Sequence, residues 1–190
     1  FFRRSFDQIK SLFPIVNNLT ASNSRDVCRA ATTSIRYLAA ESSDNFIFLR
    51  ESLESVKAFL HPQQKNRLIF NALSVLREVG RYLPNEVFSI TVSHFPEIWN
   101  ALNSEDIQLR FIAMKVIRIH LLHLPSNIQT TFAESLFMDC NTNLTGKSID
   151  AYHGSVLFYR TIYSLSPLLL TDARLTQIIE KMVNVALSPN

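Results

Sequence analysis

Apolar residues recur along most of this chain at offsets of three and four, the spacing that places them on one face of an α-helix. Val27, Ala31, Ile35 and Leu38 form one such stripe, and Leu68, Ala72, Leu76 and Val79 form its counterpart. The pattern predicts nine helices, over 5–20, 24–40, 44–60, 64–82, 85–102, 105–123, 126–140, 148–165 and 172–187. The expected fold is all-α, four antiparallel helix pairs and a half.

Punctuation supports these boundaries. Ser24 and Ser104 stand where a hydroxyl caps exposed amides, and Asp26 and Asp106 sit in the first turns that follow, complementing the helix dipole. Pro62, Pro84 and Pro125 fall at predicted junctions. Pro14 and Pro96 fall inside helical patterns, where a missing N–H predicts kinks. The stretch Cys-Asn-Thr-Asn-Leu-Thr-Gly-Lys-Ser over 140–148 carries dense loop signals and is expected to be a flexible insert.

The helices repeat. Ala31, Ile35 and Arg36 return 41 residues later as Ala72, Leu76 and Arg77, and 41 later again as Ala113, Ile117 and Arg118. One step of 42 then gives Ser155, Tyr159 and Arg160. Asn23-Ser-Arg-Asp-Val27 is answered by Asn103-Ser-Glu-Asp-Ile107, and Arg29 and Arg110 follow each. A period of about 41 is that of HEAT and armadillo units. The small residue at each repeat lets neighbouring helices approach closely. Residues 1–190 therefore read as one HEAT-type α-solenoid, with hairpins at about 5–40, 44–82, 85–123 and 126–165 and a half repeat at 172–187.

Composition agrees. Apolar residues make up 47% and charged residues 18%, far from a disordered chain, and only 3 glycines argue against β-hairpins and phosphate loops. A net charge of +3, without a dense basic run, gives no reason to expect nucleic acid. Cys28 and Cys140 lie far apart with no CxxC and read as reduced, buried thiols of an intracellular protein, cytosolic or nuclear. Asn18-Leu-Thr20 and Asn143-Leu-Thr145 match glycosylation acceptors, but nothing else reads as secretory. No apolar stretch is long enough to span a membrane. Because it opens Phe1-Phe2 and stops at Ser188-Pro-Asn190, the chain is expected to be a segment of something longer.

Candidate chemistry is sparse. Gly146-Lys147-Ser148 resembles the end of a phosphate loop, but Asn141 stands where the first glycine belongs and no strand precedes it. His120 and His123, with His153 as an imagined third ligand, lack an Asp, Glu or Cys to complete a metal set. No Gly-x-Ser-x-Gly elbow exists, and burial is the commoner fate of a cysteine placed like Cys28. The sequence thus predicts no catalytic residue, cofactor or metal. Arg36, Arg77, Arg118 and Arg160 line up in stacked repeats. They read either as a basic strip facing an acidic partner segment or as structural residues covering apolar surface and pairing with neighbours such as Glu78. Most aromatics belong to the core, and Trp99, four residues after Phe95, is expected to pack against the adjacent hairpin.

Several short motifs occur in a telling order. Val56-Lys-Ala-Phe-Leu60 precedes Asn71-Ala-Leu-Ser-Val-Leu-Arg-Glu-Val79, then Leu83-Pro84, Phe95-Pro-Glu-Ile-Trp-Asn-Ala-Leu102, Ile107, Arg110 and finally Tyr152-His-Gly-Ser-Val-Leu157. In order and spacing these resemble the amino-terminal HEAT solenoid of target of rapamycin (TOR) kinases, members of the PI3K-related kinases, over about residues 5–165. The resemblance implies a parent serine/threonine kinase of nutrient and growth signalling, cytoplasmic, endomembrane-associated or nuclear, whose catalytic domain lies outside this chain. It implies that this segment receives adaptor subunits, including a WD40-bearing scaffold, within a homodimeric complex. The junction between 123 and 148 is shorter than in familiar members. A HEAT scaffold of transport or chromosome machinery, or of another PI3K-related kinase, is the alternative reading.

Overall fold

The computed structural model describes residues 6–41, 56–61, 63–82, 92, 95–123, 126–146, 148–165 and 171–187. Eight α-helices account for nearly all of them, and no strand occurs among the described residues. The helices are α1 (Phe6–Leu19), α2 (Arg25–Glu41), α3 (Asn66–Gly80), α4 (Phe95–Leu102), α5 (Ile107–His123), α6 (Ser126–Thr145), α7 (Ile149–Leu165) and α8 (Asp172–Leu187).

Their packing follows chain order. Helix α1 lies on α2, α4 on α5, and α6 on α7, each forming a pair. The second members also pack on one another, α2 on α3, α3 on α5 and α5 on α7, while α8 continues the first-member layer by packing on α6. Two helical layers result, packed in a manner consistent with a helical repeat. Ala31, Ala72, Ala113 and Ser155 are buried on α2, α3, α5 and α7, where small side chains let successive backbones come close.

Position in the stack explains how each helix is buried. Helix α3, gripped by α2 and α5, is buried almost all round from Ile69 to Gly80. Helix α2 has a narrow stripe of Cys28, Ala31, Ile35 and Leu38. The expected stripe differs by one residue: Val27 is exposed and Cys28 takes its place, its thiol donating to the Ser22 carbonyl at 3.0 Å.

Polar contacts lock neighbouring units. Arg67 of α3 donates to the Asn23 carbonyl and Oδ1 at 3.0 and 2.9 Å, and Asn71 Nδ2 donates to the Thr20 carbonyl at 2.5 Å. Arg174 of α8 reaches both carboxylate oxygens of Glu134 on α6 at 2.6 Å, a bidentate pair that also covers the Phe137 ring at 5.0 Å. An aromatic cluster joins the layers: Phe95 is 6.2 Å from Trp99 and 4.9 Å from Phe132, and Trp99 is 6.3 Å from Phe158 of α7.

Two local expectations change. The stretch expected to be a flexible insert is helical through Thr145, so α6 runs five residues past its expected end. Packing overrides its polar composition: Cys140 and Leu144 are buried, Asn141 Oδ1 accepts from the Tyr159 hydroxyl at 3.2 Å and Lys181 Nζ at 3.3 Å, and Asn143 donates to Asn103. Pro96 is the second described residue of α4, and residues 93–94 just before it lie outside the described residues, as does the expected kink. Asp106, not Ser104, caps α5, its carboxylate accepting from the Gln108 amide at 2.8 Å while Ser104 Oγ takes the Asp106 amide. Ser24 caps α2 as expected, through the Val27 amide. Most of the helices expected over 44–60 and 85–102 falls outside the described residues, as do Pro62, Pro84 and Pro125; within 56–60 the helix ends at Lys57 and Ala58–Phe59 turn.

Candidate interaction surface

The second-member helices carry the arginine row. Arg36 on α2, Arg118 on α5 and Arg160 on α7 are exposed, and Arg77 on α3 is half-buried. Glu78, its side chain 6% exposed, gathers three cations: Arg77 pairs with it directly, Arg81 stands at 3.5 Å and Arg36 at 3.9 Å. Desolvating a carboxylate is costly, and converging guanidinium groups offset that cost. Arg36 thus ties α2 to α3 through one buried acid, which Arg77 pairs with from within α3 itself. Among the described residues no acid pairs with Arg118 or Arg160.

Two hollows open along this face and share Arg77. The larger, about 830 Å³, lies between α2, α3 and the start of α5. Arg25, Arg29, Arg36, Arg67 and Arg77 line it, against Asp26, Glu78 and Asp106. The smaller, about 340 Å³, lies between the last turns of α3 and α5. Arg81, Lys115 and Arg118 join Arg77 there, with Ile119, Leu122 and His123, and among the described residues no carboxylate lines it. Among the described residues nothing acidic pairs with Lys115 or Arg118. Arg160 lines neither hollow.

Arg81 and Lys115 were not singled out in the sequence, although the signal was there. Arg81 follows Arg77 by four and Lys115 precedes Arg118 by three, the spacings that share a helix face.

A second polar centre joins α5 to α7. The Arg110 side chain, 8% exposed, donates through Nη1 to Asp150 Oδ1 at 2.5 Å and to the Ser104 and Glu105 carbonyls at 2.6 and 3.3 Å. Its Nε donates to His153 Nδ1 at 3.0 Å, so His153 holds its own proton on Nε2. Partial burial, then the Arg110 charge, holds His153 below the ordinary histidine range. Arg110 ties the corner before α5 to the first turns of α7.

The three histidines considered as metal ligands are separated in use. His120 is buried in α5, where desolvation, aided by His123, lowers its pKa to about 4, so it is neutral near pH 7. His123 is exposed at the helix end, and His153 is engaged by Arg110. Among the described residues no three His, Cys, Asp or Glu side chains are grouped as a metal would require. Cys28 and Cys140 are buried free thiols, and burial pushes Cys140 well above the usual thiol range. Ser148 of the Gly-Lys-Ser triplet caps α7, its Oγ accepting from the Ala151 amide; Lys147 lies outside the described residues. No described helix is long and apolar enough to cross a membrane.

No protein-family model matches this chain, and no curated protein sequence matches it.

Proposed function

We propose that this chain is a protein-interaction scaffold without catalytic apparatus of its own, a HEAT-type solenoid of about four and a half helix pairs with a period of about 41 residues. The observation that carries this reading is the unbroken series α2, α3, α5 and α7, each packed on the next, with a small buried residue at the repeated position of each. Such a stack leaves one long helical face open, which suits it to holding partners.

Within that class, the chain is proposed to belong to the amino-terminal solenoid of a TOR-like serine/threonine kinase acting in the cytoplasm or at endomembranes. Two motifs that carry the resemblance lie against each other: Gly154, of the His-Gly pair, packs on the carbonyl of Leu102, which ends the Phe95–Leu102 motif. The partners are then adaptor subunits, a WD40-bearing scaffold among them, in a homodimeric complex. The test is titration of the purified chain with such an adaptor, read by calorimetry and size exclusion. A stoichiometric complex is expected. Absence of any complex across the TOR adaptors overturns the TOR assignment and leaves a HEAT scaffold of another assembly.

A further inference from the structure

Charge is distributed unevenly over this molecule. The two hollows together are lined by eight Arg and Lys side chains and three Asp and Glu, a formal charge of +5. The described residues together hold 15 Lys and Arg against 12 Asp and Glu, +3, so those outside the hollows are net acidic by two charges. The basic character is therefore concentrated on one face.

Within that face the smaller hollow differs from the larger. In the larger one Glu78 pairs with Arg36 and Arg77, and Asp26 and Asp106 line the same hollow. In the smaller one Lys115 and Arg118 are exposed and have no acidic partner among the described residues. Leu122, 54% exposed, and half-buried Ile119 add an apolar patch beside them. An occupant that complements both features carries carboxylates and an aliphatic side chain together.

We propose that the cleft between the last turns of α3 and α5 docks an extended acidic segment of a partner protein, its carboxylates on Lys115 and Arg118 and one aliphatic side chain on Ile119 and Leu122. This deepens the scaffold reading and rests on it. Neighbouring helices stand about 8–10 Å apart, and an extended chain covers roughly 3.3 Å per residue. About six residues thus run from the smaller hollow across Arg77 into the larger. A nucleic acid fits less well: the smaller hollow spans one helix pair, too short for many phosphates, and the carboxylates of the larger hollow repel a continuous phosphate chain.

The test uses a fluorescein-labelled peptide of Asp and Glu residues around one leucine, with anisotropy as readout and a single-stranded RNA of matched charge as competitor. Salt-sensitive peptide binding by the wild type, weakened at least roughly tenfold in Lys115→Glu/Arg118→Glu, supports the proposal. Both residues are exposed, and Lys115→Gln/Arg118→Gln provides a milder variant, with intermediate weakening expected; thermal melts verify that both fold. Equal binding by the charge-reversed protein, no binding by the wild type, or tighter binding of the RNA overturns it. Should an adaptor still bind the charge-reversed protein with full affinity, this cleft is excluded while the scaffold reading stands.

Discussion

Gly154 of α7 lies against the carbonyl of Leu102 so closely that a Cβ there would come within 3.0 Å of the oxygen, nearer than real Cβ atoms approach. The Leu102 carbonyl carbon and Asn103 Oδ1 would stand at 3.1 and 3.2 Å. The obstacle is backbone at the end of α4, which cannot rotate away as a side chain can.

Gly154→Ala therefore sets two effects against each other. Alanine favours a helix by about 1 kcal/mol over glycine, but overpacking costs about 1–3 kcal/mol and forces α7 away from α4. A net loss in urea unfolding is expected. A variant more stable than the wild type would show that α7 does not seat on Leu102.

Ala72 is 2% exposed on α3, between α2 and α5. Ala72→Glu places a charge at this close approach, with a predicted loss of several kcal/mol in thermal or denaturant unfolding. An unchanged melting curve would mean the stacking register is wrong.

Arg110 should be felt by His153. Arg110→Ala strands Asp150 and the Ser104 and Glu105 carbonyls and is expected to cost about 2–3 kcal/mol, reduced by the partial exposure of Asp150. Removing the guanidinium also removes a charge that opposes imidazolium, so His153 should titrate higher, visible in its ring proton shifts. A downward or absent shift would mean that the two side chains are not in contact.

His120 makes stability depend on pH with a definite sign. Its folded pKa, about 4, lies below the unfolded value of 6.5, so the unfolded chain binds the extra proton first. Its contribution is fully present above about pH 6.5 and falls away towards pH 4, by roughly 3 kcal/mol at 1.4 kcal/mol per unit. His120→Gln should flatten that part of the stability profile measured by urea titration; a slope unchanged from wild type would contradict it.

Helix periodicity and the equal steps from Ala31 to Ala72 to Ala113 made the stacked helices legible, because close packing admits only small residues at those places. The stretch after Cys140 misled because Asn and Thr favour turns locally, whereas here Leu144 is buried and Asn141 and Asn143 are held by residues 18 to 40 positions away. Of the surface, the row of Arg36, Arg77, Arg118 and Arg160 was visible as a repeat. Its division was not: whether an arginine is spent on Glu78 depends on which acid the stack buries, and that is a tertiary fact.

Distances along the arginine row test the stacked repeat most directly. Spin labels at Arg36→Cys with Arg118→Cys, and at Arg36→Cys with Arg160→Cys, with Cys28 and Cys140 replaced by alanine, would be measured by pulsed electron resonance. At about 10 Å per packed helix, two steps predict about 20 Å and three predict about 30 Å. A 36–160 distance no longer than 36–118 would mean that the helices close into a bundle, and the scaffold account would fall with it.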